Sequence, residues 1–258
     1  MIPLILASIP PAIQQPEATS STVTTIQNPI KFELAQATAQ PSGTQLQEPL
    51  PKRYPYASIQ AGIGFPNNLN GSFPLTGLPV ALPPVQVNLN LNTGFNGELA
   101  VGYKFPDFRT DLSLGYSNFS SVSQTTTVTN VAGAKLSTSQ AGQGSVDLLT
   151  VMANAYYDFK IKNQNGTLSR WSPYIGAGIG WGNLSTPSCA TPGCQSFSGG
   201  SASTFAYQGK VGISYRATNS GFVFLEGGYL GTTGSTVSTV SYDPFGTWRL
   251  NLGWRQRL

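Results

Sequence analysis

The sequence predicts an all-β protein, an eight-stranded antiparallel up-and-down transmembrane β-barrel. Three observations favour this fold: alternating hydrophobicity, a low content of charge, and the placement of that charge. Only 9% of the 258 residues are charged, against about 25% in a typical soluble domain. No apolar run approaches the roughly 20 residues that a membrane-spanning helix needs, so a membrane-spanning chain of this composition has to cross with strands.

The last segment shows the alternation best. One face carries the apolar residues Trp248, Leu250, Leu252 and Trp254, and the other carries Arg249, Asn251, Gly253 and Arg255. Alternate residues of a strand point to opposite faces, so this pattern suits a wall between lipid and a polar lumen. A soluble lipocalin-like barrel or β-sandwich needs an apolar interior, and here the inward faces are expected to be mostly glycine, serine, asparagine and charge.

Eight such segments follow Tyr54, at about 56–65, 93–105, 108–120, 146–160, 173–181, 204–217, 221–232 and 248–255. Long connections follow the odd-numbered segments, whereas Phe105–Phe108 and Ala217–Gly221 are tight turns. Outer-membrane barrels have long extracellular loops and short periplasmic turns, so both ends of the barrel are expected in the periplasm. Aromatic residues at outward segment ends predict two interfacial girdles, formed by Tyr103, Tyr116, Tyr157, Trp181, Tyr215, Tyr229, Trp248 and Trp254.

The barrel is expected to occupy residues 54–258, preceded by a separate segment, residues 1–53. Ile2–Ile9 is apolar and is ended by two prolines, as in a secretory signal peptide whose basic start is missing. The stretch that follows is rich in Gln, Thr, Pro and Ala, which predicts a flexible periplasmic segment.

Several kinds of chemistry are disfavoured by the composition. The chain has no histidine, which removes Ser-His and Cys-His catalysis and histidine metal sites, so no enzymatic activity, cofactor or metal is expected. The net charge is +4, but no Lys/Arg-rich run appears, and nucleic acid is not an expected partner. Cys189 and Cys194 have the spacing of a small loop disulfide in an exported protein, with a metal or redox role as the alternative.

Four charged residues share the inward parity near the middle of their segments: Glu98, Lys210, Glu226 and Arg249. A charge facing lipid at the midplane would cost roughly 2–4 kcal/mol, so two acids and two bases are expected to meet in the lumen. The interior of an eight-stranded barrel is just wide enough to be filled by side chains. The cluster therefore predicts a plug that holds the lumen closed, and a gate for conductance is the alternative.

The remaining polar and loop residues give further predictions. Asp111 and Asp158 are expected to form ion pairs at the periplasmic rim, amid Arg109 and Lys160. Surface loops on a rigid scaffold commonly carry recognition, so an extracellular ligand at the loops is a possible partner. Two loop segments, Val87–Leu91 and Thr125–Asn130, are able to extend strands above the membrane, and an apolar loop patch is expected at Phe73, Leu75 and Leu78.

The fifth segment contains the run SPYIGAGIG, residues Ser172–Gly180. Together with Ala155–Phe159 and Phe224–Tyr229, it resembles strands of the OmpA transmembrane-domain and Opa-like family of bacterial outer-membrane surface antigens, over about residues 54–258. The resemblance implies a Gram-negative outer-membrane barrel that contacts outer-membrane lipid. It also implies insertion by the barrel assembly machinery, which reads a C-terminal strand that usually ends in Phe, where this chain has Leu258.

The same resemblance bears on function. It implies a structural or surface-interaction role, antigen-like or adhesin-like, for a barrel with a plugged lumen. The inward charge cluster is similar to the ionic gate proposed for the OmpA transmembrane domain, so the alternative is a narrow porin for small solutes that the cluster gates.

Overall fold

The structure, a computed structural model, describes residues 53–74, 82–141, 144–162, 166, 168–186, 200–237 and 240–258. The predicted signal and periplasmic segment, the Cys189–Cys194 pair, and Leu75 and Leu78 of the loop patch therefore lie outside the described residues, apart from Arg53. No helix in the described part is long and apolar enough to cross a membrane.

The described residues form thirteen β-strands. They are β1 (Tyr54–Pro66), β2 (Leu69–Phe73), β3 (Val85–Leu91), β4 (Gly94–Lys104), β5 (Phe108–Thr129), β6 (Lys135–Ala141), β7 (Ser145–Asp158), β8 (Trp171–Thr186), β9 (Gly200–Arg216), β10 (Gly221–Thr232), β11 (Ser235–Val237), β12 (Val240–Tyr242) and β13 (Gly246–Arg257).

Eight of these strands form a closed antiparallel barrel in the order β1-β4-β5-β7-β8-β9-β10-β13. The barrel closes because β13 also pairs with β1, from Tyr56 opposite Arg257 to Pro66 opposite Thr247. Each strand thus has two neighbours, which leaves no unpaired edge within the membrane. The predicted eight-stranded barrel is confirmed.

A second sheet, here called the crown sheet, extends from one end of the barrel in the order β11-β12-β2-β3-β5-β6. It forms because β5 continues past the barrel to Thr129 and pairs there with β3 on one edge and β6 on the other. The predicted strand extensions at Val87–Leu91 and Thr125–Asn130 are confirmed, the second as far as Thr129. We call this end of the barrel the loop end and the opposite end, with the two tight turns, the turn end.

The inward glycines of β8 make room for long side chains of β7. A Cβ atom on Gly178 would clash with the Asn154 side chain, and one on Gly176 would clash with the Tyr156 ring. Because each large inward side chain lies opposite a glycine on the next strand, the two strands keep their hydrogen-bonded spacing while the side chain fills the lumen. The glycine-rich run of the fifth predicted segment therefore makes space for the large inward side chains of β7.

The expectation of a polar, glycine-lined interior is wrong for the loop half of the lumen. Apolar side chains of the barrel strands fill it and pack against apolar residues of the crown sheet, and we call the whole set the loop-end cluster: Leu69, Leu89, Phe119, Val146, Leu148, Met152, Leu184, Ala206, Leu230, Val240, Tyr242 and Phe245. Phe73, the described member of the predicted loop patch, is partly buried and packs against this cluster. Burial among these residues raises the pKa of Tyr242 above its ordinary value.

Candidate functional site

The four predicted lumen charges come together in the structure and are all buried. Lys210 Nζ lies 2.6 Å from Glu98 Oε1 and 3.1 Å from Glu226 Oε1. Arg249 Nη1 lies 3.8 Å from Glu98 Oε2. Two carboxylates thus share one ammonium group, with a guanidinium beside one of them, and the formal charges of this lumen charge cluster cancel.

The strand register explains why these side chains meet. Gly228 pairs with Lys210 on one side and with Arg249 on the other, so no side chain separates the two bases in that row. Glu226 lies two residues away on the strand of Gly228 and has the same inward parity. Glu98 lies on β4, so its contacts with Lys210 and Arg249 run across the lumen.

Neutral polar residues hold the cluster in place. Tyr174 Oη donates to Glu226 Oε2 at 3.0 Å, and Gln60 Nε2 donates to Glu226 Oε1 at 3.2 Å. The Arg249 guanidinium donates to Gln208 Oε1. Gln60, Tyr174 and Gln208 were not singled out by sequence reasoning, although their inward parity on strands next to the charged residues is a signal that would have found them.

A second buried network lies beside the first and corrects the prediction for Asp111. This carboxylate accepts hydrogen bonds from Tyr56 Oη at 2.9 Å and Asn154 Nδ2 at 2.7 Å. Asn154 Oδ1 in turn accepts from Gln208 Nε2 at 2.6 Å. Asp111 is therefore buried among neutral donors inside the barrel. The period-two pattern predicted correctly that it faces the lumen, but the prediction that it lies at the rim was wrong.

Asp158 forms the ion pairs that sequence reasoning expected near it, but as a buried group. Its Oδ2 lies 2.5 Å from Lys104 Nζ, and its Oδ1 lies 3.4 Å from Arg109 Nε in an ion pair without hydrogen-bond geometry. Lys160, which was expected near it, pairs with Asp107 in the exposed turn instead. The rim pairing is thus split between a buried triad and a surface pair.

Aromatic rings surround the arginines at the turn end of the lumen. The guanidinium carbon of Arg109 lies 4.2 Å from the ring centre of Tyr156 and 4.3 Å from that of Tyr174. Arg255 lies 5.3 Å from the ring centre of Phe224. Tyr156, Tyr174 and Phe224 form the turn-end cluster, and cation–π contacts of this kind are worth about 2 kcal/mol or more when desolvated.

Comparison with known proteins places this barrel in a family. Residues 83–245 match the model of a family described as surface antigen. The chain belongs to this surface-antigen family. No match is found among curated proteins. The family and the barrel together make it an outer-membrane β-barrel protein, whose outer wall contacts membrane lipid.

Three solved structures illustrate what the surface-antigen barrel is similar to. Neisserial surface protein A is 20% identical, over 79% of this chain and 97% of that one, with a TM-score of 0.43. The outer membrane protein OprG from Pseudomonas aeruginosa is 14% identical, over 80% and 97%, with a TM-score of 0.45. The outer membrane protease OmpT from Escherichia coli is 9% identical, over 83% and 100%, with a TM-score of 0.44.

The outer wall of the surface-antigen barrel carries the residues predicted to form girdles. Tyr103, Tyr157, Tyr215 and Trp254 lie towards the turn end, and Tyr116, Trp181, Tyr229 and Trp248 lie towards the loop end. Tyr229 and Trp248 are in edge contact, with ring centres 5.1 Å apart. Their role as membrane anchors remains a prediction. Within the described ranges, no group of three or more metal-ligating residues could hold a metal ion.

Buried polar atoms without a hydrogen-bond partner concentrate in the middle and turn end of the lumen. Within the described part of the surface-antigen barrel they include Gln60 Oε1, Asn96 Nδ2, Glu98 Oε2, Arg109 Nη2, Arg249 Nε and Asn251 Oδ1. Buried polar groups generally require partners. This half of the lumen therefore favours hydration, in contrast to the apolar loop half.

Proposed function

We propose that the protein is a closed outer-membrane scaffold that presents its crown sheet for contacts outside the cell. One observation carries this proposal: side chains occupy the lumen at three successive levels. The loop-end cluster fills the first level, the lumen charge cluster crosses the second, and the turn-end cluster with its arginines fills the third. We propose no catalytic or cofactor-dependent role.

Single-channel conductance of the refolded barrel in planar bilayers tests the closed lumen. Folding is first verified by heat-dependent gel mobility. Folded wild-type protein is expected to give no conductance steps, because an ion would have to displace both the apolar cluster and the charge cluster. Reproducible steps from folded protein would contradict the proposal.

A narrow porin for small solutes is the second candidate. It is supported by the unpartnered polar atoms of the middle and turn end, which favour water over part of the path. Conductance steps that are larger in the Glu226→Ala variant than in the wild type would favour this candidate, because that change removes one of the two carboxylates of the charge cluster. Steps unaffected by Glu226→Ala would exclude the cluster as a gate.

The proposed orientation places both ends of the described chain in the periplasm and the crown sheet outside the cell. An epitope inserted after Gly133, in the β5–β6 turn, is expected to be stained by antibody on intact cells. An epitope inserted between Asn219 and Ser220, in a tight turn, is expected to be stained only after permeabilisation. The reverse pattern would refute the orientation and with it the external role of the crown sheet.

The crown sheet offers neutral polar and apolar groups to an extracellular ligand. Every residue of β6 is exposed, and Thr127 Oγ1 lies 2.9 Å from Ser137 Oγ in a cross-strand hydroxyl pair. Val131 and Leu136 expose most of their surface near the β5–β6 turn. We propose this hairpin as the part of the crown sheet that contacts other molecules, because exposed apolar groups are typical of interaction surfaces.

We also propose that the barrel assembly machinery recognises the β13 strand despite its unusual end. Leu258 N donates to Pro55 O at 3.1 Å, so the last residue lies beside the start of β1 at the closing seam. Replacing Leu258 with Phe is expected to speed assembly in cells, measured as the rate at which the heat-modifiable form appears. A slower rate would contradict recognition of this strand.

A further inference from the structure

Arg255 is the buried base that no carboxylate compensates among the described residues of the lumen. Only 5% of this residue is exposed, yet its side chain forms no hydrogen bond and no ion pair. Its guanidinium carbon lies 5.3, 5.6 and 5.8 Å from the ring centres of Phe224, Tyr56 and Tyr174. Aromatic faces attract a cation, but they leave its N–H groups without the acceptors that a buried charge requires.

The charges of the lumen leave one base in excess at the turn end. Among the described residues, four acids and four bases are buried: Glu98, Asp111, Asp158 and Glu226, with Arg109, Lys210, Arg249 and Arg255. Lys104, whose side chain is 16% exposed, adds a fifth base. Glu98 and Glu226 are part of the lumen charge cluster, Asp158 pairs with Lys104 and Arg109, and Asp111 accepts from neutral donors. The positive charge of Arg255 is therefore the one without a counterpart.

Open space reaches the guanidinium group of Arg255. The unpartnered nitrogen atoms that are fully enclosed include Nε and Nη2 of Arg109 but none of Arg255, so each nitrogen of Arg255 borders accessible space. The register neighbour of Arg255 on β1 is Ser58, a small residue that leaves room beside it. Within the described residues the Ser58 hydroxyl also has no partner and is not enclosed. Arg255 and Ser58 thus offer adjacent donors to a small ligand.

The charge of the turn-end rim favours an anion as that ligand. Arg255 lies two residues before the end of β13, so the space beside it is close to the rim. Arg53 and Arg170 are exposed there, whereas the exposed acid of the described rim, Asp107, is paired with Lys160. A mouth lined by one sign of charge raises the local concentration of the opposite ion.

We propose that Arg255 and the Ser58 hydroxyl bind one small carboxylate that enters the lumen from the turn end. The planar fork of a guanidinium matches the two oxygens of a carboxylate. A carboxylate carries the single negative charge that balances the one excess base. The rings of Tyr56, Tyr174 and Phe224 around the guanidinium form an apolar wall for the carbon part of the ligand.

Titration of the full chain with sodium acetate tests the site. The barrel is refolded in phosphocholine micelles with ¹⁵N-labelled arginine, and sodium chloride holds the ionic strength constant. The Nε–Hε signal of Arg255, assigned by its absence in Arg255→Met, is expected to shift with acetate and to reach a plateau. If Arg255→Met fails the gel-mobility test for folding, Arg255→Lys, which keeps the charge, gives the same assignment.

Two variants separate the site from general attraction at the rim. Ser58→Ala removes the second donor and is expected to require about tenfold more acetate for the same shift, because a hydrogen bond to a charged group is lost. Arg257→Met removes an equal charge two residues further along β13 and is expected to leave the plateau of Arg255 unchanged.

Each other outcome would overturn the proposal. A signal of Arg255 that does not move, or that moves without a plateau, would show that no carboxylate is bound there. A plateau of equal size for Arg257 would show attraction by the rim as a whole, and an unchanged acetate requirement in Ser58→Ala would remove that hydroxyl from the site. A plateau with sodium phosphate or with sodium chloride alone, but not with acetate, would identify an inorganic anion as the occupant instead.

Discussion

Replacing Lys210 with methionine removes the ammonium group that two buried carboxylates share, at similar side-chain length. Glu98 would keep Arg249 at 3.8 Å, whereas Glu226 would keep only the neutral donors Tyr174 and Gln60. Removing one partner from a buried ion pair costs about 3–5 kcal/mol. Because this change leaves two carboxylates poorly compensated, the expected loss in the free energy of unfolding is near the upper end, about 5 kcal/mol.

The Glu226→Gln variant is the matched comparison. It leaves the 2.6 Å pair between Lys210 and Glu98 intact. Its expected loss in the free energy of unfolding is therefore nearer the lower end of that range, about 3 kcal/mol. The double variant Lys210→Met/Glu226→Gln leaves Glu98 beside Arg249 with balanced charge. It is expected to be less destabilised than the sum of the single variants, because residues in contact are not additive.

Urea unfolding of the barrel in phosphatidylcholine vesicles measures all three variants, with tryptophan fluorescence and heat-dependent gel mobility as the two readouts. A loss of less than about 1 kcal/mol for Lys210→Met would place the pair in the range of solvated surface ion pairs. That result would refute the inference that the charge cluster is a buried structural plug. Equal costs for Lys210→Met and Glu226→Gln would refute the assignment of Lys210 as the shared partner.

Three further predictions concern packing inside and above the barrel. Phe119 is fully buried, with its ring centre 5.7 Å from that of Phe245. Its replacement by alanine is expected to lower the free energy of unfolding by about 3–5 kcal/mol, measured by the same unfolding assay. Gly180→Ala is expected to reduce the heat-modifiable form, because the added Cβ would clash with the backbone of β7, whereas Gly209→Ala meets open space and is expected to be neutral; equal yields would contradict this. Burial raises the pKa of Tyr242 above its ordinary value of 10.0, so the folded protein keeps this phenolic proton to a higher pH than the unfolded protein does. Stability is therefore lost as the pH rises above about 10. Above that pH, protease resistance of the crown sheet is expected to fall in the wild type and to fall less in Tyr242→Phe.

The wall of the barrel could be predicted from sequence because its rule is local. A period of two assigns each side chain to lipid or lumen without knowledge of the partner strand, and the side chains of Glu98, Lys210, Glu226 and Arg249 are buried in the structure. Their mutual contact could also be expected, because a narrow barrel leaves buried charges few places other than beside one another.

The filling of the lumen could not be predicted in the same way, because it depends on depth. Inward parity is shared by Leu148, Asn154 and Asp158 on β7, yet the first lies in the loop-end cluster and the last in an ion-paired triad at the turn end. The stagger between strands decides which of these levels faces which residue across the lumen. That stagger is set by the register of all eight strand pairs together, which a single segment does not contain.

The same dependence explains how a chain rich in inward glycine can still fill its lumen. If glycines faced glycines across a ladder, that part of the lumen would be left unfilled, but in this register the glycines of β8 face Asn154 and Tyr156 of β7. Tyr156 then packs against Arg109 and Tyr174, and Asn154 links Asp111 to Gln208. The lumen is therefore filled by the pairing of large and small inward residues in the strand register, and a shift of that register would leave it unfilled without changing the composition of either strand.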